Sequence, residues 1–306
     1  MTAIPPTAFS TTAIDRRPTR EAPAVVTATV AAAGDISANL RRLTLHCPDF
    51  TALTLTGPDE FFGVLMPRPG DGYTPIPAYT GGNIRAHVGA IPERFRPDLR
   101  WYTIRHFDQR SGTLEFDVVT HGVTADSLSR DEAHVGPGLR WALTVRPGET
   151  VGVVTGHGLW RNDRRRQLLI GDAAAAPSIW SILDFQRAFN PAGLADMHVI
   201  IAVEGPADVE PGRLGDGARG GDGAWADALG GYHVITGSAD QQTAAVDAYL
   251  RSARAAHAAL SAPEYVWVCG EQTLATTIRA QVVREWGLNG KDVFFSPYWI
   301  AGRPRP

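Results

Sequence analysis

Beyond residue 167 the chain alternates short apolar runs with stretches of helical apolar spacing, and that rhythm leaves its second half few folds to adopt. "QLLIGD" reads as a buried strand and "APSIWSILDFQRAF" as a helix. "MHVIIAVEG" is a strand again, "ADQQTAAVDAYLRSARAAHAAL" an alanine-rich helix, "EYVWVCG" a strand, and "TLATTIRAQVVREW" a helix before "DVFFS". Such alternation predicts a parallel sheet, because neighbouring parallel strands need a long crossover that a helix supplies. Between the second strand and the next helix, "GPADVEPGRLGDGARGGDGA" is glycine-rich and aperiodic, and it reads as a mobile surface loop.

The first half has a different grammar. Val25 to Val30, Leu40 to Cys47, Phe61 to Met66, Arg100 to Phe107, Thr113 to Thr120 and Thr150 to Val154 are short apolar or alternating runs. Turn clusters such as "RPGDGYTPIP", "DQRSG" and "RPGE" separate them, which argues for a barrel or a sandwich. The polar, basic stretch "HGLWRNDRRRQ" marks the change of rhythm. The expected architecture is an antiparallel β-barrel over 24–160 followed by an open, Rossmann-like α/β domain over 161–306. The Pro- and Thr-rich residues 1–23 read as a flexible tail.

Composition narrows the function classes. A formal net charge of −3 offers no field for nucleic acid or an anionic membrane. Cys47 and Cys269 are the two cysteines; they form neither a disulfide framework nor a CxxC site, which fits a reducing compartment. With no apolar leader and no run of about 18 apolar residues, the expectation is a soluble, cytoplasmic protein without stable membrane insertion. The nine histidines form no HxxxH pattern, and neither GxSxG nor a Walker A sequence is present. No metal site and no catalytic acid, base or nucleophile is expected.

Three stretches can carry chemistry. In "RWYTIR" the strand period sets Arg100, Tyr102 and Ile104 against Trp101, Thr103 and Arg105. A flavin needs a flat apolar surface, a hydrogen-bonding group near its ring nitrogens and cations for its diphosphate. Tyr102, Thr103 and either Arg100 or Arg105 are the right types. By spacing alone, a solvated barrel strand with arginines lying over aromatics is the commoner meaning. "HVGPGLRWA" (134–142) is either a plain Gly-Pro turn or a helix start whose N–H groups meet an anion. "LLIGDAAAAPSIW" (168–180) and "YVWVCGEQT" (265–273) are strand–glycine–helix passages that let a dinucleotide approach the backbone, although neither carries GxGxxG. Cys269 itself reads first as a small buried hydrophobe.

The ordered set "RWYTIR", "HG … GPGLRWA", "LLIGDAAAAPSI", "EYVWVCGE" and "SPYWIAG" is similar to the siderophore-interacting proteins, FAD-dependent ferric-siderophore reductases of the ferredoxin–NADP reductase superfamily. The resemblance runs over residues 24–302. It implies an FAD-binding barrel, a domain for NADPH or NADH, and a ferric siderophore or other small-molecule electron acceptor. It implies that Arg100 contacts FAD phosphate, Tyr102 stacks on the isoalloxazine, Thr103 bonds near N5, and Val119 and His121 lie along the cofactor. Gly136, Gly138 and Leu139 would offer N–H groups to the diphosphate. Gly171, Asp172, Ala173, Cys269, Gly270 and Glu271 would line the nicotinamide side, with Tyr298 and Trp299 near the exposed flavin face.

The chain also departs from the family pattern. Leu139 stands where a Ser or Thr is usual, and Asp172-Ala173-Ala174 where Asp-Glu-Thr is usual. Phe61-Phe62-Gly63 replaces a common His-Val-Lys, and Ile300 the arginine of Tyr-Trp-Arg, so cations facing an anionic chelate are missing. The segment after His121-Gly122 is long enough to cover the adenine side. The first expectation is a reductase passing electrons from NAD(P)H through FAD to a ferric siderophore. A flavin oxidoreductase acting on a biosynthetic small molecule and a non-catalytic siderophore- or flavin-binding protein are the alternatives. Glu204 after the second α/β strand opposes a 2′-phosphate, whereas Arg213 or Arg219 in the glycine-rich loop would welcome one.

Overall fold

The computed structural model describes residues 9, 20, 23–68, 70–128, 135–214, 226–255 and 258–302. The chain divides into two compact units, with the division between Leu159 and Trp160.

The first unit holds a seven-stranded antiparallel sheet, β1 (Val25–Ser37), β2 (Leu40–His46), β3 (Phe61–Met66), β4 (Asp98–Thr103), β5 (His106–Asp108), β6 (Thr113–Val119) and β7 (Thr150–Val154), in the order β4-β3-β7-β1-β2-β6-β5. The two ends of that order, β4 and β5, are consecutive pieces of the chain separated only by Ile104 and Arg105. Ile104 N donates to Glu60 O at 2.9 Å and Arg105 N to Glu115 O at 2.7 Å, so the sheet closes on itself as a barrel. Closure requires this break. The single run expected over Arg100 to Phe107 is therefore two strands meeting at a corner, and Arg105 sits in that corner at 1 % exposure.

Across β3 and β4 the register pairs Phe62 with Tyr102 and Gly63 with Trp101. Phe62 and Tyr102 face the inner cluster with Val30, Leu43, Val64 and Phe116. Trp101 joins an outer cluster with Leu65, Leu99 and Val154, covered by α1 (Ile84–Gly89), whose N-cap Asn83 accepts from Arg85 N and Ala86 N. Inside the barrel wall Arg42 and Asp117 face each other on β2 and β6 and form a two-bond pair at 2.7 and 2.8 Å. A short α2 (Ala125–Leu128) precedes α3 (Pro137–Thr144), which packs Trp141 and Ala142 into the inner cluster.

The second unit is an all-parallel sheet of β8 (Gln167–Asp172), β9 (Met197–Val203), β10 (Gly231–Thr236), β11 (Tyr265–Glu271) and β12 (Val293–Trp299), in the order β10-β9-β8-β11-β12. Its helices are α4 (Ala176–Phe189), α5 (Ala239–Ala253), α6 (Ala258–Ser261) and α7 (Gln272–Arg284). Strands β8, β9 and β11 are buried along their whole length, as continuous apolar runs covered on both faces require.

Three sequence expectations need correction here. "GYHVIT" forms the edge strand β10, which the glycine-rich passage before it concealed. The long alanine-rich helix is α5 and a separate α6. The start of the presumed mobile loop is packed: Asp208, Val209 and Glu210 are buried, because a 3-10 turn at Pro206–Asp208 folds them inward. Residues 215–225 of that loop, with Arg219, and most of the 1–23 tail lie outside the described residues. The basic stretch after Gly158 is likewise tied down: buried Trp160 donates from Nε1 to Gln167 Oε1 at 2.7 Å, and Arg161 and Arg164 pair with Asp163.

Candidate functional site

The barrel brings Arg100 and Tyr102 together with the start of α3. A Cβ on Gly138 would lie 2.9 Å from both Arg100 Cγ and Tyr102 Oη, so only glycine lets these side chains rest on the helix backbone. The N-cap of α3 is Gly136, which has no side chain to cap the first turn, and Pro137 removes one N–H. Helix geometry then leaves the Gly138 and Leu139 N–H groups without intrahelical acceptors, beside the aliphatic stem of Arg100, whose Nη1 donates to Leu99 O at 2.7 Å. Diphosphate suits that combination of donors and positive charge. The Leu139 side chain packs against the barrel cluster, so this residue contributes backbone and apolar contact where a hydroxyl is usual.

Tyr102 lies against Phe116 with ring centroids 4.7 Å apart. Burial pushes its phenol up to about 12, against the opposing pull of Arg100, so it stays a neutral, partly apolar surface. Thr103 ends β4 opposite Phe61 and is buried. Val119 ends β6 opposite Leu40. His121 follows in a turn closed by Val123 N to Thr120 O at 2.9 Å, and it is the one described non-glycine residue with a positive φ, 52°. Histidine tolerates that region better than most residues, and Gly122 continues the turn with φ 74°.

Along α3 runs a cavity of about 840 Å³ that single-strand reasoning did not reveal. Its walls include Met66, Leu128, Arg140, Trp141, Thr144 and Arg146. The buried Trp141 Nε1–H finds no hydrogen-bond acceptor among the described residues. The signal was present in "GPGLRWA", where Arg140 and Trp141 follow the helix start, but which wall they line depends on how α3 lies on the barrel.

In the second unit, the winding reverses direction between β8 and β11, which is where open α/β sheets bind ligands at their carboxyl ends. Gly171, Asp172 and Ala173 lie at the end of β8, and Cys269, Gly270 and Glu271 at the end of β11, with Gly171 and Cys269 in register. The sequence-predicted residues are therefore brought together around that crevice. Asp172 is the hub: Oδ1 accepts from Ala174 N at 2.9 Å and Ala175 N at 3.1 Å, and Oδ2 from Glu271 N at 2.6 Å and Trp299 Nε1 at 2.7 Å. Burial raises its pKa above the ordinary carboxylate value, yet all four bonds need it as an acceptor. Gly270 has φ 132°, and any Cβ there would lie 2.6 Å from Asp172 Cγ.

Glu271 caps α7, accepting from Thr273 N and from Leu274 N at 3.3 Å, while its other oxygen accepts from Ala301 N at 3.2 Å. Burial works against its charge, but these bonds prevail and hold the carboxyl below its ordinary value. Cys269 is fully buried. Tyr298 lies edge-on to Trp267, with its hydroxyl 3.2 Å from Ser178 Oγ. Trp299 thus braces the crevice through Asp172, and Tyr298 leans on α4. No described cluster of three or more His, Cys, Asp or Glu side chains has metal-binding geometry.

Comparison with known sequences gives this geometry a family. The siderophore-interacting FAD-binding domain matches residues 29–160, and the siderophore-interacting protein model matches residues 228–302. The chain belongs to the siderophore-interacting protein family. Its fold resembles solved members of that family: SipS from Aeromonas hydrophila (TM-score 0.64, 23 % identity, 91 % of this chain and 92 % of that one) and a siderophore utilization protein from T. fusca (TM-score 0.66, 19 % identity, 95 % and 98 %). Among curated proteins it is 26 % identical over 151 residues to the ferric vibriobactin reductase ViuB of Vibrio cholerae. That match spans 49 % of this chain and 49 % of ViuB, about half the length of the relative. The barrel of this family member is accordingly an FAD-binding domain on a reductase-like fold. Among the described residues, no helix is long and apolar enough to cross a membrane.

Proposed function

We propose that this chain is an FAD-dependent oxidoreductase that draws electrons from NADPH or NADH and delivers them to ferric iron held by a siderophore, releasing Fe(II). The observation that carries the reading is the contact of Arg100 and Tyr102 with Gly138 at the uncapped start of α3. FAD supplies the chemistry that side chains lack, accepting a hydride and giving up electrons one at a time.

The protein's own part is placement. Arg100 and the first-turn N–H groups of α3 hold the diphosphate, Tyr102 gives the ring system a neutral face, and Thr103 offers a hydroxyl at its edge. Arg105, buried in the closing corner, shapes that edge from behind. The cavity along α3 has room for the adenosine half, with Arg140 and Trp141 in its wall. The β8–β11 crevice receives the dinucleotide, and the reaction is assigned to the cytoplasm. Each dinucleotide carries two electrons and each ferric centre takes one, so two chelates are reduced per dinucleotide.

The test is direct. Purified protein loaded with FAD should oxidise NADH or NADPH faster when a ferric siderophore is added, with Fe(II) appearing in a colorimetric trap at two per dinucleotide. Protein that binds FAD yet reduces no ferric chelate would overturn the iron reading. One observation favours a different acceptor: in place of the common cationic residues, Phe61 sits edge-on to Trp101 at 5.2 Å and His157 at 4.8 Å. An aromatic patch suits a weakly charged acceptor better than a polyanion. Turnover of another acceptor without iron reduction would support that version, and a colourless protein that still retains a chelate would support a binding role.

A further inference from the structure

The sheet of the second unit carries information about which dinucleotide enters it. Strand β9 is the second strand of the winding, and it runs parallel to β8 in register from Gln167 with Met197 to Asp172 with Ala202. Its carboxyl end therefore opens on the same side as the β8–β11 crevice. In doubly wound sheets the residue after this second strand meets the adenosine ribose: a carboxylate bonds the 2′-hydroxyl of NAD, whereas an arginine accommodates the 2′-phosphate of NADP.

Here β9 ends at Val203 and the next residue is Glu204, which is exposed. Its backbone is fixed, because Glu204 N and Gly205 N both donate to the buried Asp208 carboxylate at 2.8 and 2.9 Å. The described arginine that could reverse the preference, Arg213, is committed elsewhere. Its Nη1 and Nη2 each lie 3.4 Å from one oxygen of Asp184, and its Nε lies 3.6 Å from Glu210. Both carboxylates are buried, and Tyr232 donates to the Arg213 carbonyl at 2.9 Å, fixing the backbone as well. Arg187 Nη2 also lies 3.7 Å from Asp184, so the two guanidinium groups are balanced by two buried carboxylates and leave no net charge to offer a phosphate. A 2′-phosphate arriving here would meet Glu204 as a like charge and gain nothing from Arg213.

We infer that the electron donor is NADH, selected over NADPH by Glu204 as the specificity-determining residue at the ribose 2′-position. The inference rests on the proposed dinucleotide site and adds to it the identity of the donor. One charge-assisted bond gained on one side and repulsion added on the other correspond to a preference of roughly ten- to hundredfold.

Redox-inert probes separate this from the reaction itself. The full chain, loaded with FAD so that its own ADP-binding surface is filled, is titrated calorimetrically with ADP-ribose and with 2′-phospho-ADP-ribose. The expected result is at least about tenfold tighter binding of ADP-ribose, and a ratio near one in Glu204→Gln, with weaker ADP-ribose and stronger 2′-phospho-ADP-ribose binding. Because Glu204 is exposed, the variant should keep its thermal midpoint. Equal or tighter binding of the phosphorylated probe, or an unchanged ratio in E204Q, overturns the inference and leaves the dinucleotide site standing. If neither probe binds the FAD-loaded protein, the dinucleotide site fails and the inference falls with it.

Discussion

The indole N–H of Trp299 donates to Asp172 Oδ2 at 2.7 Å, joining the last residue of β12 to the last residue of β8. The same oxygen accepts from Glu271 N, at the end of β11. One carboxylate thus holds three strand ends around the crevice, and Gly270 is the residue that lets it sit there.

Removing that carboxylate should be costly. Asp172→Ala leaves buried donors unpaired, so a loss of about 3–5 kcal/mol is expected, whereas Trp299→Phe removes a single bond and should cost about 1–2 kcal/mol. Urea unfolding followed by tryptophan fluorescence gives both values. An equal effect of the two changes would show that the hub is not Asp172.

FAD retention should depend on the contact at α3. Gly138→Val forces Arg100 and Tyr102 off the helix start, and Arg100→Ala removes the cation. Each should weaken FAD by about ten- to hundredfold, read as loss of flavin absorbance after gel filtration and as a dissociation constant from flavin fluorescence. Leu139→Ser tests the departure from the family pattern. Because the leucine packs on the barrel cluster, serine should lower stability while leaving FAD affinity within about threefold, a shift below 1 kcal/mol.

The buried pair in the barrel wall makes a separate stability prediction. Arg42→Ala abandons the Asp117 carboxylate at a site where both partners are nearly fully buried. A loss of about 3–5 kcal/mol is expected, whereas Arg251→Ala, which removes exposed pairs with Glu285 and Asp247, should leave stability nearly unchanged. Thermal and urea midpoints of the two variants provide the comparison.

Acid should act first through two histidines. Burial holds His157 below its ordinary value of 6.5, with Arg20 adding to the effect, and burial does the same to His233, which stacks on Tyr249 at 3.8 Å. With a lowered native pKa, the unfolded chain binds more protons as pH falls through 6.5, so this stability is present above 6.5 and is lost below it. The double variant His157→Asn/His233→Asn should therefore lose less stability than the wild type as pH is lowered from 7 to about 5.5. Identical pH slopes for the two proteins would remove the histidines from the account.

The residues themselves determined the class of each half. Period-two runs broken by turn residues can bury one face only by closing or stacking a sheet, and strand–helix alternation can cover a fully apolar strand only from both sides. "RWYTIR", "GPGLRWA", "LLIGDA" and "VCGE" were likewise legible, because side-chain type and spacing are local properties. Tertiary structure alone decided which of those residues meet. Barrel closure broke the expected strand at Ile104 and Arg105, burying one candidate arginine and leaving the other against Gly138. The parallel register set Asp172 beside Glu271, 99 positions away, and Trp299, 127 positions away, and committed Arg213 to Asp184. Packing and charge pairing act through space, and sequence order does not encode the partners they choose.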